Sequence, residues 1–229
     1  MPKNIIEVKN LVKIYQDGSE QFRALDDVSL NIKEGESVAI IGKSGSGKST
    51  LMHLLAALDK PNEGEIFING NNIAKMKKRE LNKLRNQTFG FVFQQFFMNP
   101  KDTVLQNVIL PLKIAKVSPR KRKEIAIKAL EAVDLVDKAK NKASNLSGGQ
   151  KQRVCVARAV ANSPKIIFAD EPTGNLDTTT GDKVEELLFG LNKEKGITLI
   201  IVTHDEALAE KCDRQIRLQD GKIISKGEK

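Results

Sequence analysis

The chain has 229 residues, long enough for one large domain or for a domain with an inserted subdomain, and long enough to bury a sizeable core. Hydrophobic residues make up 40% and charged residues 29%, which excludes an intrinsically disordered chain, and no apolar run approaches the roughly 18 residues of a membrane-spanning helix. The net charge of +9 would suit nucleic acid, anionic lipid or a phosphate-rich ligand, but 4% aromatic residues and no Trp leave no set of stacking platforms for single-stranded nucleic acid.

The first third of the sequence predicts strands on both sides of one glycine-rich loop. Residues 1–35 are β-rich, because apolar and polar residues alternate over 28–32. An apolar strand at 37–42 leads into the loop, and an apolar helix over 49–58 follows it. The next predicted elements are a strand at 63–70, a basic helix at about 75–86 and a strand at 89–94.

From about 95 to 160 the composition becomes helical. Ser118 is expected to be an N-cap, and Pro119 to open a helix with Ile127, Leu130 and Val133 on one face. Beyond this region, two near-continuous apolar strands are typical of a buried parallel sheet. These later elements are the strands 165–170 and 197–204, a helix at 180–194 ending at Gly196, and a hairpin around 220–221. The sequence therefore predicts an α/β core with a helical insertion and an antiparallel β portion.

The stretch "GKSGSGKST" fits the phosphate-loop pattern G-x-x-x-x-G-K-[ST]. Its glycines permit backbone conformations in which successive N–H groups wrap around phosphates, and the following helix points its positive end at the anion. Lys48 would reach the β- and γ-phosphates, Ser49 would ligate Mg²⁺, and Thr50 could add a hydroxyl contact. A purely structural glycine turn is the alternative. The expected ligand contacts are Gly42, Lys43, Ser44, Gly45, Ser46, Gly47, Lys48, Ser49 and Thr50.

Polar residues follow three of the predicted strands. Asp170 and Glu171 end one strand, where carboxylates reach the ligand-binding edge of an α/β sheet, and Asp170 would hold Mg²⁺ while Glu171 polarises an attacking water. His204 ends another strand and could touch the γ-phosphate or that water. Gln94 is the third such group. Each has a structural alternative: a helix cap or surface pair for the acids, a structural histidine, and a loop amide bonded to backbone.

Six motifs together make the chain resemble the nucleotide-binding domain of ABC transporters. They are the phosphate loop 42–50, Gln94, "LSGGQ" at 146–150, "IIFADE" at 166–171, "GNLD" at 174–177 and His204. The resemblance implies an α/β fold with a P-loop NTPase (RecA-like) core, an antiparallel β subdomain and an inserted α-helical subdomain. A single domain over 1–229 would divide into a β part at about 1–35 and 62–70, a core with the C-terminal hairpin at about 36–95 and 160–229, and a helical subdomain at about 96–159.

The resemblance also implies roles for individual residues. Tyr15 matches the aromatic that stacks on adenine in relatives, and Glu171 the general base, with Lys48, Gln94 and His204 beside it in the catalytic set. The Mg²⁺ contacts would be Ser49, Gln94 and Asp170, and Asp177 would contact nucleotide.

The "LSGGQ" motif is a second glycine-rich helix start that lacks the phosphate-loop lysine. Ser147 can cap a helix while the Gly148 and Gly149 amides stay at its positive end, which would make a second anion site. The resemblance implies that this site, with Gln150, closes on the γ-phosphate held by another copy of the chain. A simple helix cap is the alternative.

The resemblance implies an ATP-hydrolysing subunit of an ABC transporter or mechanotransmitter, which uses ATP and Mg²⁺ to pair head to tail with a second copy and drive a separate membrane permease. "FGFVFQQF", "NVILPL" and "ADEPTGNLDT" resemble the lipoprotein-release, macrolide-export and antimicrobial-peptide-resistance ATPases, although the segment 95–108 departs from the leucine-rich stretch common there. The alternative is a soluble ABC ATPase acting on nucleic acid or an assembly scaffold, and the basic charge favours it. The leading interpretation expects no nucleic acid as a partner. Two cysteines without CxxC spacing and an N-terminus without an apolar signal core predict a cytoplasmic protein. The resemblance implies that it is peripheral on the inner face of the cell membrane.

Overall fold

The computed structural model describes residues 3–18 and 20–228. The chain divides into two compact units: the first contains the chain up to Asn82 together with the chain from Thr198 onward, and the second is Lys83–Ile197. The strands are, in chain order, β1 Asn4–Asp17, β2 Glu20–Lys33, β3 Ser37–Ile41, β4 Glu63–Ile68, β5 Asn71–Asn72, β6 Phe89–Phe93, β7 Ile166–Asp170, β8 Thr198–Val202, β9 Arg214–Gln219 and β10 Lys222–Glu228. The α-helices are α1 Lys48–Leu55, α2 Lys78–Thr88, α3 Val104–Ile114, α4 Pro119–Glu131, α5 Gly148–Val160, α6 Thr178–Lys195 and α7 Glu206–Glu210.

The first unit contains an antiparallel sheet in the order β2-β1-β4-β5. Alternation along β2 buries Val28, Leu30 and Ile32, each at most 4% exposed, on one face of this sheet, as the sequence pattern predicts. The hairpin partner β1 pairs antiparallel with it, with Val8 opposite Leu30, and the register shifts at several points along the hairpin. The β-rich character predicted for the start of the chain is therefore confirmed for the described residues.

The parallel strands of the first unit position the loop that follows β3. All five residues of β3 are buried, as is typical of an inner parallel strand, and β8 and β9 pair with it on either side. In this register Ile40 lies opposite Val202, so the carboxyl ends of β3 and β8 are neighbours. The C-terminal hairpin β9–β10 turns at Asp220, as predicted.

The second unit combines the parallel pair β6–β7 with the helices α3 to α6. Helix α5 packs on β6 at very short range: a Cβ added at Gly90 would lie 2.6 Å from the carbonyl oxygen of Ala159. Only glycine fits this contact. The close packing fixes the distance between α5 and β6, the strand that Gln94 follows.

Several predicted bounds shift for local reasons. The basic helix begins at Lys78 rather than near 75, because residues 73–75 form a separate 3₁₀ turn capped by the Asn72 side chain. Helix α1 ends at Leu55, earlier than predicted, and Ala57 then turns the chain with a left-handed φ of 53°. Helix α6 ends with Lys195 and is followed by Gly196 as its C-cap with φ 63°, as predicted.

Within residues 3–18 and 20–228, no helix has the length and apolar character needed to cross a bilayer.

Candidate active site

The glycine-rich loop of the first unit runs from the end of β3 into helix α1. Gly47 stands immediately before the helix with φ 100°, and an added Cβ there would lie 2.5 Å from the carbonyl oxygen of Ala24. The loop is also held from the C-terminal hairpin, because the Gly221 N–H donates to the Ser46 carbonyl at 3.1 Å. These contacts fix a left-handed turn directly before the N-terminus of α1, which is the arrangement that a phosphate cradle requires.

Lys48 places its ammonium at the mouth of this loop. Its Nζ donates to the carbonyl of Gly42 at 2.8 Å and to that of Lys43 at 2.9 Å. Ser49, which follows it, is exposed, while the Ser46 side chain is buried with its Oγ unpartnered among the described residues. The loop therefore combines a lysine ammonium, an exposed serine and the start of a helix, which fits a polyphosphate.

His204 lies just beyond the strand adjacent to the loop. The Thr203 N–H donates to the Ile40 carbonyl at 3.2 Å, which extends the pairing of β8 with β3 by one residue. Asp205 then caps helix α7, accepting from the backbone of Ala207 at 2.8 Å. The exposed His204 is thus held between a strand end and a helix cap, beside the end of the strand that leads into the loop.

Tyr15 also belongs to the first unit, and its ring is held by two charged residues. Its hydroxyl donates to Asp59 Oδ2 at 3.0 Å, and Lys13 Nζ lies 4.8 Å from the ring centroid while contacting Asp59 at 2.8 Å. Burial and the hydrogen bond to Asp59 raise the pKa of Tyr15, so the hydroxyl remains a donor. The ring is 38% exposed, which leaves surface available for a planar group.

The second unit brings Gln94 and the two acids to one edge. In the parallel register of β6 and β7, Phe93 lies opposite Asp170, so Gln94 and Glu171 directly follow two adjacent strand ends. Glu171 has a left-handed φ of 46°, which is uncommon for a residue with a side chain. The predicted grouping of Gln94 with the two acids is thus present in this unit.

A reciprocal pair of hydrogen bonds holds Gln94. Its Nε2 donates to Asn175 Oδ1 at 3.1 Å, and Asn175 Nδ2 returns a bond to the Gln94 carbonyl at 3.1 Å. A Cβ at Gly174 would lie 2.9 Å from Gln94 Nε2, so the glycine makes room for this pair. Sequence reasoning included Asn175 in a motif but assigned it no role, because its partner lies 81 residues away.

Asp177 caps the following helix. Its Oδ1 accepts from the Thr180 N–H at 3.1 Å, and hydrogen bonds from the side chain and then the backbone of Thr180 lower the pKa of Asp177. The carboxylate therefore stays ionised at the N-terminus of α6.

The "LSGGQ" segment forms the start of helix α5 in a capping box. Ser147 Oγ accepts from the Gln150 N–H at 3.3 Å, and Gln150 Oε1 accepts from the Ser147 N–H at 3.0 Å. Sequence reasoning predicted Ser147 as the cap but missed the reciprocal role of Gln150, although the S-x-x-Q spacing signals it. The cap leaves the first amides of the helix at its positive end, with Gly149 buried and Gly148 half-buried.

The oxygen donors expected for Mg²⁺ are of the kind that binds this ion together with the phosphates of a substrate. Ser49 presents an exposed hydroxyl, and Asp170 a half-buried carboxylate at a strand end. Among the described residues, no group of three or more His, Cys, Asp and Glu side chains forms a metal cage. Magnesium commonly uses one or two protein ligands together with phosphates, so these residues fit it.

Comparisons with known proteins agree on one family. The family model for ABC transporters matches residues 25–174. A dimeric post-hydrolysis structure of the ATP-binding cassette MJ0796, bound to ADP and Pi, is 45% identical, with a TM-score of 0.90, covering 97% of this chain and 98% of that one. A second dimeric structure of MJ0796, described as a bacterial ABC transporter cassette, is 46% identical over 97% and 98% of the two chains, with a TM-score of 0.89.

A more distant structure shows the same fold. CbiO1 from Clostridium perfringens, part of the ABC transporter complex CbiONQ, is 31% identical, with a TM-score of 0.87 over 98% of this chain and 88% of that one. The phosphate loop, the acidic strand end and the capped glycine helix start all lie in a chain that these proteins match almost end to end. The chain belongs to the ABC transporter family and is one of its ATP-hydrolysing cassettes.

Proposed function

We propose that two copies of this cassette pair head to tail around ATP and Mg²⁺ and drive a separate membrane permease. The observation that carries the proposal is the presence of two glycine-rich helix starts suited to phosphate, of which only the first has a lysine as its first helical residue. The loop before α1 leads directly into Lys48, whereas the start of α5 offers the capping Ser147 and glycine amides. A second anion site without a lysine inside its glycine turn suits a phosphate already neutralised by the Lys48 of another copy, and the MJ0796 structures are dimers.

In the proposed site, the first unit binds and orients the nucleotide. Tyr15 stacks on the adenine, and the amides of residues 42–50 surround the phosphates while Lys48 neutralises the β- and γ-oxygens. Ser49, Gln94 and Asp170 would hold Mg²⁺, whose positive charge would offset the negative charge of the phosphates.

Hydrolysis then requires a base and an orienting group. Glu171 accepts a proton from the attacking water, the water oxygen bonds to the γ-phosphorus, and the bond from that phosphorus to the bridging oxygen breaks, releasing ADP and phosphate. His204 orients the γ-phosphate and the water. Gln94 lies at the same strand edge as Glu171, so it would contact Mg²⁺ and help to position the attacking water.

The start of α5 serves the other copy. Ser147, Gly148, Gly149 and Gln150 would close on the γ-phosphate held by the partner's loop, and Asp177 would contact nucleotide across the same interface. ATP favours the closed pair, hydrolysis reopens it, and the permease follows this shift in population.

An apolar groove in the second unit supports docking of a membrane partner. Its volume is about 280 Å³, and it is lined by Phe93, Phe97, Leu110 and Ile114 among others. Phe97 is 66% exposed and Ile114 64%, an unusual exposure for large apolar side chains. Motif resemblance favours permeases of the lipoprotein-release and macrolide-export type, with the cassette on the inner face of the cell membrane.

Ser147→Arg tests the shared site. The bulky cation should block closure on the partner's nucleotide, so ATP binding stays within about threefold while hydrolysis falls by about 100-fold or more. Ser144→Arg, an exposed position three residues upstream, is the matched control and should hydrolyse ATP normally. Normal hydrolysis by Ser147→Arg would contradict the shared-site proposal.

Co-purification from detergent-solubilised membranes tests the partner. We expect recovery of a multi-span permease, lost in Ile114→Asp but retained in the control Ile224→Asp, whose side chain is 55% exposed on the other unit. Recovery of only a soluble scaffold or nucleic acid would favour the second candidate, a soluble ABC ATPase. The +9 charge is the observation that favours that candidate.

A further inference from the structure

Gln152 is a buried amide in helix α5 that bonds to two other segments. Its side chain is 1% exposed, and its Nε2 donates to the Pro172 carbonyl at 2.6 Å and to the Phe93 carbonyl at 3.2 Å. Both neighbours are acceptors, so only the NH₂ end of the amide can face them. The Oε1 atom has no hydrogen-bond partner among the described residues.

The two carbonyls belong to the residues beside the proposed hydrolytic groups. Phe93 immediately precedes Gln94, and Pro172 immediately follows Glu171. One NH₂ group therefore spans the ends of β6 and β7 and fixes them to each other. A buried amide hydrogen bond of this kind is costly to break, because the carbonyl left behind is desolvated.

The backbone at Glu171 needs such support. Its left-handed φ of 46° is strained for a residue with a Cβ and persists only where its surroundings hold it. One constraint is the Gly174 N–H, which donates to the Glu171 carbonyl at 3.2 Å. The bond from Gln152 to the next carbonyl, that of Pro172, is a second constraint from a different element.

We propose that Gln152 is a positioning residue for hydrolysis: it holds Glu171 and Gln94 in their working geometry and ties them to the helix that begins at Ser147. The proposal rests on the proposed function, in which Ser147 contacts the other copy's nucleotide. A displacement of α5 on nucleotide contact then acts directly on this chain's own base. The two sites of the pair are thereby coupled through one side chain.

The test is Gln152→Met, which keeps the length of the side chain and removes the donor. The matched control is Asn192→Leu, since Asn192 is another buried amide of the same unit, donating to the Ile197 carbonyl at 2.8 Å at the end of α6. Displacing a catalytic group by a fraction of an ångström lowers kcat steeply, so we expect Gln152→Met to lose about 10- to 100-fold in kcat with KM within about threefold. The control should keep kcat within about twofold at a similar loss in Tm.

Epistasis with Glu171→Gln separates positioning from general destabilisation. If Gln152 acts mainly through Glu171, adding Gln152→Met to Glu171→Gln should slow the residual single-turnover hydrolysis by clearly less than Gln152→Met slows the parent protein. Gln152→Asn shortens the side chain by one methylene and keeps it polar, so it is the variant to measure if Gln152→Met does not fold. It should show the same pattern more weakly. Normal kcat in both Gln152 variants, an equal loss in Asn192→Leu, or a multiplicative loss in the double variant would overturn the inference. Full turnover by Glu171→Gln alone would instead overturn the proposed function.

Discussion

Gly149 offers a quantitative test of how the start of α5 is positioned. It is buried against Thr180, and a Cβ added there would overlap the Thr180 Cγ2 methyl. The β-branched threonine has few rotamers in which to escape, so Gly149→Ala must push the start of α5 away from α6. Overpacking of this kind costs about 1–3 kcal/mol, partly offset by the roughly 1 kcal/mol that alanine gains over glycine within a helix.

Thr180→Ser should relieve this clash, because it removes the overlapping methyl. The nearest remaining atoms, Cβ and Oγ of residue 180, lie 3.4 and 3.7 Å from the added Cβ, which are tight and ordinary contacts respectively. We therefore expect Gly149→Ala to slow ATP hydrolysis and lower the free energy of unfolding, and Gly149→Ala/Thr180→Ser to recover most of both losses. Urea denaturation and steady-state ATPase rates on the four members of the cycle measure the effect. Purely additive losses, with no recovery in the double variant, would refute the reasoning.

Three further predictions follow from local contacts. Tyr15→Ala should raise the KM for ATP about 5- to 100-fold through lost base stacking, with kcat little changed; an unchanged KM would contradict the adenine platform. Arg214→Met should lower the free energy of unfolding by about 3–5 kcal/mol, because the Glu36 carboxylate, whose side chain is 10% exposed, loses its ion partner 2.7 Å away and keeps, among the described residues, only the bond from the Lys33 N–H. Lys128→Met at an exposed pair should cost less than about 1 kcal/mol in the same urea titration. Burial raises the pKa of the Cys155 thiol to about 11, so it should resist iodoacetamide at pH 8 until the protein is denatured, and rapid native labelling followed by mass spectrometry would contradict this.

The sequence predicts elements well where the determinant is local. The continuous apolar runs of β3, β7 and β8 are buried on both faces, so composition alone indicates parallel strands. Gly196 ends α6 because its left-handed φ of 63° favours glycine, and Ser147 caps α5 through a bond to a residue three positions away. The phosphate-loop pattern could be predicted for the same reason, because all of its residues lie in one contiguous stretch, 42–50.

Contacts between distant residues were not predictable in this way. Asp59 holds the Tyr15 hydroxyl from 44 residues away, and Gln152 reaches Phe93 across 59 residues. Nothing in the neighbouring sequence marks these residues, since an aspartate after a helix and a glutamine within one are common. Their roles depend on which segments the fold brings together.

The most direct test of the central claim is Glu171→Gln, with Glu186→Gln on the exposed surface of α6 as control. Glutamine keeps the shape of the side chain but cannot accept the proton, so hydrolysis should fall by about 100-fold or more while ATP still binds. With ATP and Mg²⁺, light scattering should then show the variant accumulating at twice the monomer mass of 25.3 kDa, and the control turning over normally. Undiminished hydrolysis by Glu171→Gln, or a variant that binds ATP and stays monomeric, would contradict the account.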